Sequence, residues 1–69
     1  MNPSEIGQLI QKRRKLLGIN QQAVCEIADV SLHTLSNIES GKGNPTAAVL
    51  LKVLETLGLE IEIKPAAIK

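Results

Sequence analysis

The middle of the chain concentrates hydrogen-bonding side chains that carry no charge. Between Asp29 and Glu39 the sequence contains no Asp, Glu, Lys or Arg. The side chains of interest in this segment, at helical spacing, are Leu32, His33, Ser36 and Asn37. Amide, imidazole and hydroxyl groups can donate or accept hydrogen bonds, and leucine can cover another apolar group. Such residues can recognise a partner by neutral contacts, although each one taken singly is equally typical of an ordinary exposed helix face.

A catalytic or metal site is not expected. Cys25 is the single cysteine, so no disulfide can form within the chain, and no residues have the spacing of zinc ligands. Helical periodicity buries Cys25 and places His33 on another helix face, so a nucleophile and a base do not meet. We therefore predict no enzyme activity, no catalytic residue, no metal and no cofactor. The cysteine usage predicts a reducing, cytoplasmic compartment.

The composition indicates one small domain with an aliphatic core. The chain has 69 residues, of which 43% are hydrophobic, and it contains no Phe, Trp or Tyr. Reading of single-stranded nucleic acid by stacking on aromatic side chains is therefore excluded. The net charge is only +1, and the basic run Lys12–Lys15, taken alone, is typical of a solvated helix face. No segment has transmembrane length or signal-peptide character, which predicts no membrane partner.

Four segments carry the signals of a helix. Asn, Ser or Thr precedes each apolar repeat as a candidate cap, and glycine follows three of the four repeats as a stop signal. The predicted helices are about 3–17, a short segment after Asn20, about 31–39, and a segment between Thr46 and Gly58. The predicted core positions are Ile6, Leu9, Ile10, Leu17, Val24, Ile27, Ala28, Leu35, Ile38, Val49, Leu50, Val53, Leu54 and Leu57.

The last patterned segment, Leu59–Lys64, alternates apolar and charged residues and ends at Pro65. This period of two predicts a half-buried β-strand with Leu59, Ile61 and Ile63 on one face. Because a lone strand leaves its backbone groups unpaired, we predict antiparallel pairing with a second copy across a two-fold axis. A frayed tail and a continued helix are the alternatives.

Charge favours particular registers of this strand pair. Centring the two-fold axis on Ile61 sets Glu60 opposite Glu62 twice, which is unfavourable. Centring it on Glu62 or Ile63 sets a glutamate opposite Lys64 twice instead. We therefore expect one of the latter two registers.

Two short helices joined by a turn of about three residues form the pattern of a helix-turn-helix. The inward places of this unit are held by Val24, Ala28, Val30, Leu35 and Ile38. The stretch RRKLLGINQQAVCEIADVSLHTLSNIESGKGNP resembles the Cro/repressor-type (XRE) helix-turn-helix family, and the match covers residues 6 to about 58. The resemblance implies a fold of four or five helices and sequence-specific binding of double-stranded DNA as a homodimer.

Two positions depart from the family pattern without disturbing it. Asp29 stands where glycine is usual and tolerates a left-handed backbone better than most residues. Cys25 stands where alanine is usual and is also small and commonly buried. The resemblance further implies a structural ion pair between Arg14 and Glu39 that links the first helix to the end of the third. The rest of the basic run is then free for DNA phosphates or water: Lys12, Arg13 and Lys15.

By resemblance, the third helix is the recognition helix, which lies in the major groove. Its outward residues Leu32, His33, Ser36 and Asn37 are then the ones that reach base edges. Asparagine can bind adenine in two places, and leucine can lie against a thymine methyl group. The N-termini of the helices favour phosphate. For Lys42 and Asn44, which are among the residues named next, an ordinary role in an exposed loop is equally open. The other predicted DNA-binding residues are Gln21, Gln22, Thr34, Ser40, Lys42 and Asn44.

The C-terminal part narrows the resemblance. A helix-turn-helix domain followed at once by LGLEIEIKP resembles the HipB-like antitoxin regulators. That resemblance implies a dimer completed by a strand from each chain, repression of the chain's own operon, and a toxin protein as an additional partner.

The sequence thus predicts an all-α fold: a compact four- or five-helix repressor-type helix-turn-helix domain with one short C-terminal β-strand that pairs across a dimer. The predicted divisions are a DNA-binding domain over 1–58, a dimerisation strand over 59–65 and a tail over 66–69. The predicted function is an autoregulatory repressor that binds a palindromic operator as a homodimer. The predicted location is the cytoplasm, in association with the nucleoid, for a protein of bacterial or phage origin. The alternative is the antitoxin of a HipBA-like toxin–antitoxin pair, whose main role is binding the toxin.

Overall fold

Side-chain caps determine where each helix begins. In the computed structural model, which describes residues 2–67, Asn2, Asn20, Ser31 and Thr46 each accept a hydrogen bond from the backbone N–H three residues further on. Such caps satisfy N–H groups that have no partner inside the helix. The four helices are α1 (Pro3–Leu16), α2 (Gln21–Ala28), α3 (Leu32–Ser40) and α4 (Ala47–Thr56). The predicted all-α fold and its four helices are confirmed.

Aliphatic side chains from all four helices form one core. Its centre is closed by residues that are almost fully buried, namely Ile10, Val24, Leu35, Val53 and Leu57. α2 packs against both α3 and α4, and α1 packs mainly against α3. The inward positions of the helix-turn-helix unit are therefore buried or partly buried as predicted.

Three residues predicted to face the core lie on the surface instead: Leu9, Leu17 and Ile27. The helix α1 has one major neighbour and buries only a narrow stripe. That stripe consists of Gly7, Ile10 and Arg14. Leu9 lies on the other side of α1, Leu17 lies beyond its last residue, and Ile27 lies on the outer side of α2. The prediction was wrong at these positions because apolar periodicity marks a wider stripe than these short helices bury.

The turn between α2 and α3 depends on a left-handed residue. Asp29 has φ 56° and ψ 51°, and its backbone N–H donates to the carbonyl of Cys25. The N–H of Val30 also donates to that carbonyl, at 3.1 Å. The paired bonds end α2 and reverse the chain within three residues. Asp29 therefore takes the conformation that the helix-turn-helix pattern predicts for this position.

α1 and α3 approach each other closely at Gly7. A Cβ atom at this position would lie 2.2 Å from the carbonyl oxygen of Ile38 and 2.7 Å from that of Glu39. Only a residue without a side chain can be accommodated at that distance. Gly7 therefore determines how near the end of α3 comes to α1, a role that sequence reasoning had missed.

The segment after α4 forms neither helix nor strand in the single chain that the structure describes. The N–H of Leu59 donates to the carbonyl of Leu54 at 2.8 Å, and residues 60–67 form no backbone hydrogen bond with the described residues. A strand whose ladder is shared with a second copy has no ladder within one chain. The dimerisation strand and the domain divisions stay predictions, and residues 68–69 of the predicted tail lie outside the described residues. Within residues 2–67, no helix is both long enough and apolar enough to cross a bilayer.

Candidate nucleic-acid interface

The outer face of α3 presents the uncharged side chains that the sequence singled out. Leu32, His33 and Ser36 are exposed, and Asn37 is half-buried. The opposite face of the helix is buried through Leu35, Ile38 and Glu39. The core thus holds α3 from behind, and its outer side chains project from a fixed helix.

Asn37 connects α3 to the loop that follows it. Its Nδ2 lies 3.2 Å from Nε2 of His33, one helical turn earlier. Its backbone carbonyl accepts from the N–H of Lys42 at 2.8 Å and from Oγ of Ser40 at 3.2 Å. Gly43, with φ 74°, passes so near that a Cβ there would lie 3.5 Å from the Asn37 side chain. The loop and the outer face of α3 therefore form one structural unit.

The same loop gathers several of the predicted phosphate contacts. A shallow pocket of about 140 Å³ brings Thr34 and Asn37 of α3 together with Lys42 and Asn44. Thr34 is also part of the α3 cap, since its hydroxyl accepts from Oγ of Ser31 at 2.8 Å. Lys42 and Asn44 are exposed, and a cation and an amide at this place can hold a backbone phosphate. Gly43 was not predicted as part of the site, although its position in the turn-forming segment GKGNP was a usable signal.

The two glutamines that open α2 differ in their surroundings. Nε2 of Gln21 donates to Oε1 of Glu39 at 3.2 Å, and the residue is half-buried. An amide nitrogen carries two hydrogens, so one donor remains for another partner. Gln22 is exposed. Contact of either residue with DNA stays a prediction.

A buried ion pair fixes the end of α3 to α1. Nε of Arg14 donates to Oε2 of Glu39 at 2.7 Å, and Nη2 donates to Oε1 at 3.0 Å. Nη1 of the same guanidinium donates to the carbonyl of Ile19 at 3.1 Å. Arg14 is 9% exposed and Glu39 6%. The hydrogen bonds to Glu39 raise the pKa of Arg14, against the opposing effect of burial, so the guanidinium remains charged inside the protein.

Arg13 has a structural partner as well. Its Nε donates to the carbonyl of Leu57 at 3.0 Å, beyond the last turn of α4. A cation at this place satisfies a free carbonyl and opposes the helix dipole. This bond engages one of the five N–H donors of Arg13 and connects α1 to the end of α4. Contact of its other donors with phosphate stays a prediction. The exposed members of the basic run are Lys12 and Lys15.

Cys25 is a packing residue whose ionisation is suppressed. Its side chain is 8% exposed, and burial raises the pKa of the thiol, with the negative charge of Glu39 adding to the effect. Because the thiolate is the nucleophilic form of cysteine, this shift disfavours nucleophilic reactivity of Cys25. Cys25 is therefore a core residue that packs on the buried side of the interface. The interface itself offers a partner neutral groups.

We expect the unfolding free energy of the wild type to fall relative to Cys25→Ala at alkaline pH. An unfolded cysteine has a pKa of about 8.5, and the folded value is higher, so the unfolded state loses its proton first as the pH rises. The stabilisation that the neutral buried thiol provides is fully present below the unfolded pKa, about 8.5. It is lost as the pH rises from that value through the higher folded pKa. Urea unfolding of both proteins between about pH 7 and about pH 10 measures the difference. A difference that does not change with pH would contradict this assignment.

Comparison with known proteins identifies the family. The Helix-turn-helix family model matches residues 10–64 of the chain. A protein of Sinorhizobium fredii, named as an HTH-type transcriptional regulator, is 34% identical over 61 residues, which cover 88% of this chain and 80% of that protein. A protein of Haemophilus influenzae with the same description is 36% identical over 64 residues, 93% of this chain. The matched region is 64% of the Haemophilus protein, slightly under two thirds of its length.

Solved structures show the same fold. The crystal structure of the restriction-modification controller protein C.AhdI from Aeromonas hydrophila superposes with a TM-score of 0.78 and 21% identity, over 84% of this chain and 88% of that one. A structure described as MDT Protein superposes with a TM-score of 0.85 and 22% identity, over 97% of this chain and 94% of that one. The narrower HipB-like resemblance stays a prediction. The family match over most of the chain and the two related sequences confirm the broader one: this chain belongs to the Cro/repressor-type (XRE) helix-turn-helix family.

Proposed function

We propose that the chain is a sequence-specific transcriptional regulator that binds double-stranded DNA as a homodimer and represses transcription from a palindromic operator, including that of its own promoter. The observation that carries the proposal is the outer face of α3. It combines a fixed helix with neutral hydrogen-bonding side chains and places a basic loop directly beside them. The family and the names of the related proteins support the same function.

We assign different roles to the outer face of α3 and to the loop that follows it. Leu32, His33, Ser36 and Asn37 read base edges in the major groove, where each base pair presents a distinct set of donors, acceptors and methyl groups. Lys42 and Asn44 contact phosphates and set the position of the helix along the duplex. The net charge of +1 gives weak non-specific attraction, so affinity depends on base contacts and on two subunits binding together.

Two subunits related by a two-fold axis read two half-sites. Their recognition helices enter successive major grooves on one side of the duplex, so the half-sites lie about 34 Å apart, one turn of DNA. Occupancy of such a site within a promoter blocks polymerase without any enzymatic step. The protein acts where the promoter is, in the bacterial cytoplasm.

We expect Asn37→Ala to lose specific binding while keeping non-specific binding. An asparagine that binds adenine in two places contributes about 1–3 kcal/mol of discrimination, which corresponds to a loss of about 5- to 150-fold in affinity for each half-site. Gel shifts on the DNA upstream of the gene and on an unrelated duplex, at several salt concentrations, measure both. Gln8→Ala, an exposed amide on α1, is the matched control and should change neither.

Lys42→Ala provides the contrasting result in the same experiment. Loss of a phosphate contact weakens binding to both duplexes alike and lowers the salt dependence by about one ion per subunit. Equal affinity of the wild type for operator and unrelated duplex at moderate salt would overturn the proposed function.

A further inference from the structure

An apolar groove lies on the side of α1 that faces away from α3. At 100° per residue, Leu9 and Leu16 are on the opposite side of α1 from Gly7 and Arg14, which contact α3. The groove has a volume of about 580 Å³ and lies between α1, the end of α4 and the segment that follows α4. Its apolar lining includes Ile6, Leu9, Leu16, Leu54, Leu59 and Ile61. It is separate from the candidate DNA-binding face.

The apolar residues around this groove are unusually exposed for their type. Leu9 is 50% exposed and Leu16 76%. Ile61 is 48% exposed and Ile63, two residues further along the same face of the segment, is 92% exposed. Adjacent apolar side chains in such a patch mark a surface that a partner covers.

We propose that each groove receives Ile63 of a second copy, so that α1 forms the floor of the dimer interface on both sides of the two-fold axis. The inference rests on the homodimer proposed above and specifies its surface and register. Alternation along the segment places Leu59, Ile61 and Ile63 on one face. In the single chain Leu59 is partly buried against the core, and Ile61 lines the groove together with Glu60 and Glu62. Pairing as a strand turns the apolar face toward the protein body and the two glutamates away from it.

An axis centred on Glu62 brings the right residues together. In that register Ile61 lies opposite the partner's Ile63, which is thereby placed beside the groove that Ile61 lines. The whole segment 59–65 is paired, whereas an axis centred on Ile63 pairs only 61–65. The Glu62-centred register therefore covers more apolar surface and satisfies more backbone groups.

Charge supports a second copy as the occupant. The charges that line the groove balance, since Lys12 and Arg13 stand there beside Glu60 and Glu62 of the same chain. Pairing in this register also sets Glu60 opposite the partner's Lys64 at both ends of the ribbon. The segment thus complements its own symmetry mate, as a two-fold interface requires.

Sedimentation equilibrium of single-site variants tests the groove. Leu16→Glu and Ile63→Glu should each raise the dimer dissociation constant about tenfold or more, because each places a charge at two buried positions per dimer. Ile27→Glu is the matched control, since Ile27 is 69% exposed on α2, outside the groove, and should leave the constant unchanged. All three side chains are exposed in the single chain, and circular dichroism checks that the helices are intact.

A charge exchange tests the register. Glu60→Lys and Lys64→Glu should each weaken the dimer by setting like charges opposite one another, and the double variant should restore it. Restoration by Glu62→Lys with Lys64→Glu, and not by the first pair, would show the Ile63-centred register and overturn the one proposed.

The remaining outcomes separate this inference from the proposed function. Undiminished dimerisation of Leu16→Glu overturns the groove as the seat of Ile63, whatever the DNA result. A wild type that is monomeric at all concentrations overturns both the inference and the homodimer. A wild type that associates only with a copurifying protein of another kind, as a heteromer, does the same. A dimer that responds as expected but shows no operator preference supports the inference and overturns the DNA-binding proposal alone.

Discussion

Glu39→Ala should lower the free energy of unfolding by about 3 kcal/mol or more. The substitution leaves the Arg14 guanidinium buried without its carboxylate, at a site where Arg14 is only 9% exposed. It also removes the acceptor of Gln21, so that contacts from α1 and α2 to the end of α3 are lost together. Urea unfolding followed by circular dichroism is the suitable measurement, since the chain has no Trp or Tyr for fluorescence.

Two further variants show whether the cost comes from the stranded charge. The double substitution Arg14→Met with Glu39→Leu removes both charges and keeps apolar volume, and should recover most of the stability. Gln21→Ala removes only the third hydrogen bond and should cost about 1 kcal/mol. If Glu39→Ala cost no more than Gln21→Ala, the ion pair would not be the connection that holds α3 to α1.

Gly7→Ala should destabilise the protein by about 1–2 kcal/mol, against the usual effect of this change. In an ordinary helix the substitution stabilises by about 0.5–1 kcal/mol, because alanine restricts the unfolded chain. At Gly7 the new methyl group would lie 2.2 Å from the carbonyl oxygen of Ile38, which is backbone and cannot rotate away. α1 must move away from α3, and overpacking of this kind usually costs about 1–3 kcal/mol, which outweighs the gain from alanine.

Gly18→Ala is the matched control for this effect. Gly18 has φ 70° and nothing within 4 Å of the position of a Cβ atom, so alanine there meets conformational strain without a steric clash. The expected cost is about 1–2 kcal/mol. Thermal melts of both variants measure these costs. A Gly7→Ala protein as stable as the wild type would contradict the close approach of α1 to α3 at this residue.

The helices could be predicted because their signals are local. Asn2, Asn20, Ser31 and Thr46 each bond to a backbone group three residues away, so sequence alone contains both partners. The left-handed Asp29 likewise depends on bonds to Cys25 within the same turn. Local partners made the order of the elements and their boundaries predictable to within one or two residues.

What could not be predicted depends on which element comes to lie beside which. The role of Gly7 arises from two carbonyls of α3, and that of Arg13 from a carbonyl at the end of α4, 44 residues away. The exposure of Leu9 follows from α1 having only one major neighbour. No periodicity in the sequence contains this information.

The candidate site was found in part for the same reason. The outward residues of α3 follow from helical spacing, and their grouping came from the family resemblance. The bond between Asn37 and the N–H of Lys42 and the nearness of Gly43 became apparent only in three dimensions. The C-terminal strand remains a prediction because its partner backbone belongs to a second copy.

The two opposite faces of α1 have a consequence for how this regulator can evolve. One face contacts α3, the proposed recognition helix, through Gly7 and Arg14, and the other is the proposed floor of the dimer interface through Leu9 and Leu16. The width of one helix, about 10 Å, then enters the separation of the two recognition helices twice, once from each subunit. Substitutions on the outside of α3 can change which bases are read without altering that separation. The number of base pairs between half-sites can change only if α1 or its neighbours move, so operator sequence should diverge readily among relatives while operator spacing is retained.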